Sequence, residues 1–156
     1  MDNAQIIKNF IDYIKNVRLY SDHTIKSYKY DLNEYLMFCK NNYEDIDFSN
    51  LDQNAIQSYL QSLSRKGLAP RTLARRLGSL KSLYKFMLVN NLIRINPAKL
   101  VKTPKINREL PHFLSLKEAK DIINIPDGQT FNTLRDRLIL ELFYVTGIRI
   151  SELINI

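Results

Sequence analysis

Apolar residues recur every three or four positions along most of this 156-residue chain, which is the spacing of one helix face. The stripes predict four successive helices, over about 2–17, after an N-cap at Ser21, over 52–64 and over 71–91. Gly67 and Pro70 mark the stop and the restart between the third and the fourth helix. No stretch shows convincing strand alternation, so the predicted fold is all-α.

The predicted core consists of the apolar stripes of these four helices. In the first two helices the stripe residues are Ile6, Phe10, Ile11, Ile14, Ile25, Tyr28, Leu32, Tyr35, Leu36 and Cys39. In the next two they are Ile56, Leu60, Leu63, Leu73, Leu77, Leu80, Tyr84 and Met87.

A change in composition predicts a domain boundary after the fourth helix. Residues 95–111 hold three prolines and four Lys/Arg, which is typical of an extended linker. We therefore predict a domain over 1–100, a basic linker over 101–114 and the start of a second domain over 115–156. There, Ser115 and Glu118 form a predicted capping box for a helix through Ile125, and a longer helix over 131–146 ends at Gly147.

The apolar residues of that longer helix need more partners than two short helices can supply. They are Leu138, Ile139, Leu142, Phe143 and Val145. We expect this region to be loosely packed or to associate with another chain.

Composition excludes several classes of protein. One cysteine cannot form an intramolecular disulfide and fits a reducing compartment. The N-terminal stretch lacks the pattern of a secretory signal, and the longest apolar run is eight residues and contains Glu141. We expect a cytoplasmic protein with no membrane partner.

The charge is strongly segregated along the chain. Residues 53–108 carry 12 Lys/Arg and no Asp or Glu, whereas the remaining 100 residues carry 11 basic and 16 acidic side chains. Such a local positive field is the usual signature of a polyanion partner, although a solvated basic surface without a partner gives the same pattern.

The fourth helix has the pattern of a helix that enters the DNA major groove. Opposite its leucines, a helical wheel places small residues interspersed with arginines. The small residues let the helix backbone come close to DNA, and the long arginine side chains can donate hydrogen bonds to it. These residues are Arg71, Thr72, Arg75, Gly78, Ser79 and Ser82, with Arg76 and Lys81 on the flanks, where they suit phosphates. An ordinary polar face remains the alternative.

On the second helix the outward residues are His23, Thr24, Lys26, Ser27 and Tyr30, but Asp31 and Glu34 follow, so the residues alone leave its role open.

Three stretches together resemble the tyrosine site-specific recombinases of the phage integrase family, closest to the Xer type. They are SDHTIKSYKYDL, GLAPRTLARRLGSLKSLYKFM and TGIRISEL, in the order that the family has them. The resemblance implies a four-helix, SAM-like core-binding domain, a linker and the first helices of a catalytic domain. It also implies double-stranded DNA and other recombinase protomers as partners, and cleavage through a 3′-phosphotyrosine without metal or cofactor.

The same resemblance implies roles for individual residues. Arg149 matches the first catalytic arginine, and Glu152 the acidic residue that orients it, although an arginine paired with a glutamate three residues on is common by itself. The implied DNA contacts are Thr24, Lys26, Ser27, Tyr30, Arg71, Thr72, Arg75 and Ser79, with phosphate contacts at Lys102, Lys105 and Arg108.

The chain departs from the family pattern after Arg149. All nine tyrosines precede it, and neither His23 nor His112 begins a His-x-x-Arg motif. We therefore expect this chain to bind DNA but not to cleave it. Two alternatives are a truncated DNA-binding module that competes for recombination sites and a basic helical module that binds an acidic protein.

Overall fold

The computed structural model describes residues 2–43, 47–105 and 112–156, and within these ranges it contains helices and no strand. The chain divides into two compact units, residues 1–107 and 108–156. The helices of the first unit are α1 (Asn3–Asn16), α2 (Asp22–Asn42), α3 (Gln53–Arg65) and α4 (Pro70–Val89), with a short 3-10 helix at Phe48–Asn50. Those of the second are α5 (Leu116–Ile123), α6 (Phe131–Thr146) and α7 (Ile150–Leu153). The all-α prediction is confirmed.

The starts of the first unit's helices follow from local sequence. The Ser21 side chain accepts a hydrogen bond from the backbone N–H of Thr24 at 3.4 Å, and Asp52 accepts one from Ala55 at 2.9 Å. Pro70 occupies the first turn of α4, where a missing N–H costs nothing. These local signals set the starts of α2, α3 and α4, and so determine which residues of α2 and α4 can face each other.

The core of the first unit is made by all four helices. Every predicted stripe residue is buried except Ile11, Ile25 and Tyr28, which pack against the core from its edge. At its centre the hydroxyls of Tyr35 and Tyr84 lie 3.1 Å apart, and burial raises the pKa of both. Both phenols therefore stay protonated and can form this buried hydrogen bond.

The segment after α4 adds to this core. Ala98 and Val101 are fully or almost fully buried against the helices. Val101 is the first residue of the predicted linker, so the predicted linker begins with a residue that is packed into the core of the first unit. Lys102 and Lys105 are exposed, while Arg108 lies outside the described residues.

The second unit is well capped but sparsely packed. Ser115 and Glu118 form the predicted capping box, with Ser115 N–H donating to the Glu118 carboxylate at 2.7 Å. Gly147 ends α6 in the left-handed region, at φ 64°. Among the described residues of this unit the one buried apolar residue is Ala119, and Phe131, Leu138 and Val145 are exposed. This agrees with the expected loose packing. No helix in the described ranges is both long and apolar enough to cross a membrane.

Candidate nucleic-acid interface

The first half of α2 and the middle of α4 form an open groove on the surface of the first unit, here called the α2–α4 groove. It is lined by His23, Thr24, Ser27, Tyr28, Arg75, Gly78, Ser79 and Ser82. Four of the predicted DNA-contacting residues, Thr24, Ser27, Arg75 and Ser79, thus lie together although they come from two helices.

The floor of the groove is built from small and uncharged groups. Gly78 is exposed, and a Cβ atom added there would meet nothing within 4 Å. The hydroxyls of Tyr28 and Ser82 lie 3.3 Å apart across the two helices. The surface of α4 is therefore open to close approach along this line, and its contact with DNA stays a prediction.

Arg75 is the principal cation of the groove. Its side chain is 45% exposed, so it is accessible from solvent although it is held at one end. Its Nη1 atom donates to Ser27 Oγ at 2.9 Å and also to the Asp31 carboxylate. The arginine is consequently fixed across the two helices instead of extending freely into solvent.

Asp31 lies beneath the groove and is buried, with 1% of its side chain exposed. It accepts a hydrogen bond from Ser79 Oγ at 2.8 Å as well as the bond from Arg75. Asp31 and Ser79, which the sequence placed on the outward faces of α2 and α4, are both buried instead. The two helices pack so closely here that these polar residues face each other, and the hydrogen bonds from Ser79 and Arg75 both go to Asp31 Oδ2, while the buried Oδ1 accepts no hydrogen bond from the described residues.

Arg76 is also buried, contrary to its predicted place on an exposed flank. Only 6% of its side chain is exposed, and its Nη1 donates to the Tyr59 hydroxyl at 3.0 Å and to Glu34 at 3.4 Å. Its guanidinium carbon lies 5.4 Å from the centre of the Tyr30 ring. Burial acts to lower the pKa of Arg76, but the neighbouring Tyr59, Asp31 and Glu34 outweigh it and raise the pKa. Arg76 therefore ties α4 to α2 and α3.

The remaining predicted contacts lie near the surface. Lys26, Tyr30 and Arg71 are exposed, and Thr72 and Lys81 are partly exposed. Their contact with DNA stays a prediction.

In the second unit, Arg149 stands at the N-terminus of α7 beside Glu152. Its Nη1 donates to Glu152 Oε1 at 3.1 Å, and its backbone N–H donates to Oε2 at 2.9 Å. The Arg149 side chain is 80% exposed, so the remaining guanidinium donors face solvent. The left-handed Gly147, two residues before it, makes the turn that places the arginine at this helix start. Such an arginine can stabilise a developing negative charge.

No group of His, Cys, Asp and Glu residues within the described part of the chain could hold a metal ion.

Comparison with known proteins identifies the family. Residues 7–91, which contain α2, α3, α4 and the groove, match the model of the phage integrase N-terminal SAM-like domain. The chain belongs to the phage integrase family. The SAM-like fold predicted for the first four helices is thereby confirmed.

Relatives similar over nearly the whole chain are tyrosine recombinases of the Xer type. The tyrosine recombinase XerC of Thermodesulfovibrio yellowstonii is 37% identical over 154 residues, which are 98% of this chain and 50% of the relative. Those of Listeria innocua and Anoxybacillus flavithermus are 37% and 34% identical, over 96% and 100% of this chain and 50% and 52% of each relative. The chain spans about half the length of the curated relatives it matches, and the predicted resemblance to the Xer type is confirmed.

One feature of this integrase-family chain was missed by sequence reasoning, namely that the buried Asp31, which accepts from Ser79, holds the Arg75 side chain. A signal was present. Asp31 and Glu34 are spaced three apart on α2, and Arg75 and Arg76 are adjacent on α4. Opposite charges at matching helical positions of two neighbouring helices indicate ion pairs between them as readily as two separate solvated faces.

Proposed function

We propose that this chain is the N-terminal part of a tyrosine recombinase and that it binds duplex DNA through the α2–α4 groove in site-specific recombination. The observation that carries the proposal is the groove itself, in which an accessible arginine, small hydroxyl residues and an open Gly78 lie together on paired helices. Arginine donors and small residues on one helix face are the combination that major-groove recognition needs.

The electrostatics support the same proposal. The segment 53–108 contributes no acidic side chain, and two acids of α2 near the groove, Asp31 and Glu34, are paired with arginines. The exposed Lys26, Arg71, Lys102 and Lys105 would then contact phosphates, with Thr24, Ser27, Tyr30 and Thr72 as further contacts. Lys81 and, outside the described residues, Arg108 are weaker candidates.

We expect the affinity of the chain for duplex DNA to fall steeply with salt. Four phosphate contacts, from the exposed Lys26, Arg71, Lys102 and Lys105, would give a slope of about −3 to −4 for log K against log [NaCl]. Fluorescence anisotropy with a labelled duplex of mixed sequence measures it. The variant Arg71→Ala should reduce the slope by about 0.9.

A flat salt response would contradict DNA binding. It would instead favour the alternative of a helical module that binds a protein partner, because counterion release from a duplex would then play no part.

We further propose that Arg149 is a catalytic arginine, oriented by Glu152, that binds a non-bridging oxygen of the scissile phosphate. The 156 residues by themselves are proposed to bind DNA without cleaving it, since every tyrosine precedes Arg149 and neither histidine begins a His-x-x-Arg motif. The attacking tyrosine, which would form a 3′-phosphotyrosine, and the partner protomers belong to the proposal for the longer recombinase.

In that longer protein, Arg149→Ala should slow formation of the covalent protein–DNA complex by about ten- to 100-fold, because one charge-assisted hydrogen bond to the transition state is lost. Denaturing gel electrophoresis with a duplex that carries the recombination site measures this rate. Duplex affinity serves as the control and should change little. An unchanged rate of covalent complex formation would remove Arg149 from the active site.

A further inference from the structure

The hydrogen bonds of Arg75 leave one specific edge of its guanidinium free. Nη1 carries two hydrogens, and its two acceptors, Ser27 Oγ and the Asp31 carboxylate, take both. Within the described residues, Nε and Nη2 donate to no protein acceptor. These two atoms form the side edge of the guanidinium, and their N–H bonds run parallel.

A parallel pair of donors matches two acceptors on one edge of a base. Guanine presents O6 and N7 together in the major groove, and an arginine that binds both is the commonest specific contact in protein–DNA complexes. Arg75 and Gly78 both line the α2–α4 groove, and Gly78 leaves room there for close approach.

The burial of Asp31 changes what Arg75 contributes electrostatically. The carboxylate is 1% exposed, accepts from Ser79 and Arg75, and lies 3.9 Å from Arg76 Nε. Because a negative charge sits directly behind Arg75, the pair attracts a phosphate less strongly than a free arginine does. The ion pair does not change the direction of the Arg75 N–H donors. Arg71 and Lys26 are exposed, form no ion pair with an acid within the described residues, and so retain their attraction for any phosphate.

We propose that Asp31 is a positioning residue for DNA recognition: it holds Arg75 so that the Nε–Nη2 edge meets O6 and N7 of one guanine. Arg75 then supplies sequence preference, while the exposed cations supply affinity. The inference rests on the proposed DNA-binding function and deepens it, because it assigns base recognition and phosphate attraction to different residues of the same surface.

The test begins with duplexes selected by the wild-type chain from a pool with a randomised central segment. The selected sequence should contain a guanine at which 7-deazaguanine, which lacks the N7 acceptor, weakens binding by about ten- to 100-fold. Arg75→Ala should lose this discrimination. Asp31→Asn should lose most of it too, yet bind scrambled duplex more tightly, with a salt slope steeper by up to about 0.9, because Arg75 becomes an unopposed cation.

This opposite movement of specificity and affinity separates positioning from folding, since a poorly folded variant would lose both. Asp12→Asn is the matched control: Asp12 is exposed on α1, and its replacement raises the net charge equally without touching Arg75. It should leave discrimination unchanged. Melting temperatures of all variants are measured in parallel.

Should Asp31→Asn fail to fold, Ser27→Ala tests the same idea, because it removes the other Nη1 acceptor from a partly exposed position. It should reduce discrimination without changing the salt slope. Two results would overturn the inference. The first is unchanged discrimination in a folded Asp31→Asn variant, or in Ser27→Ala where that variant replaces it. The second is a proportional loss of affinity on every duplex. If the pool yields no enriched sequence and binding shows no salt dependence, the proposed function itself fails.

Discussion

Placing a glutamate at Gly78 is expected to weaken duplex binding by about 100-fold or more while the first unit stays folded. Gly78 is exposed on α4, lies in the α2–α4 groove and has no heavy atom within 4 Å of an added Cβ. Glutamate is also a better helix former than glycine, by about half a kcal/mol. In the groove, however, its carboxylate would face DNA phosphates, and such like-charge contacts cost several kcal/mol.

Anisotropy titration at fixed salt measures the loss of duplex binding, and urea unfolding measures stability. Gln61→Glu is the matched control, because Gln61 is exposed on α3 and the substitution adds the same charge outside the groove. It should reduce affinity only slightly. Equal affinities for the two variants would show that DNA does not occupy the α2–α4 groove.

The core was predictable because helix periodicity determines which face each helix buries. The stripe of α4, for example, predicted the burial of Leu73, Leu77, Leu80, Tyr84 and Met87, all of which are confirmed. The period of 3.6 residues needs no knowledge of the neighbouring elements. Boundaries were also predicted closely, since Ser21, Pro70, Ser115 and Gly147 carry the local chemistry of helix ends.

The polar side of α4 could not be read in the same way. A helical wheel separates polar from apolar positions, but it cannot tell whether a polar residue meets water or another helix. Ser79 and Arg76 were predicted to lie at the surface, and both are buried because α2 and α3 supply Asp31, Glu34 and Tyr59 as partners. Their burial depends on contacts between residues more than 15 positions apart, which no single-helix pattern contains.

Val101 shows the same limitation at the domain boundary. The linker was predicted from the prolines and basic residues of 95–111. One apolar side chain nevertheless packs into the core, together with Ala98. Whether a single valine in a basic segment is buried depends on the space left by four helices, and that space is a property of the assembled fold.

The burial of Arg76 leads to a prediction opposite to that for Arg71, although the sequence suggested DNA contacts for both. Arg76→Ala should lower the free energy of unfolding by about 3 kcal/mol, because Tyr59 and Glu34 lose a buried donor and the arginine stem leaves a void. Arg71→Ala, at an exposed position, should change stability by less than about 0.5 kcal/mol.

Duplex binding should follow the reverse pattern. Arg71→Ala should weaken binding and reduce the salt slope by about 0.9, whereas Arg76→Ala, measured well below its melting temperature, should retain the wild-type slope. Urea titrations measure the stability of both variants, and anisotropy titrations measure their duplex affinity and salt slope. If Arg76→Ala were as stable as the wild type and still lost duplex affinity, Arg76 would have to leave its buried site to contact DNA, and the contacts with Tyr59 and Glu34 would contribute little to the fold.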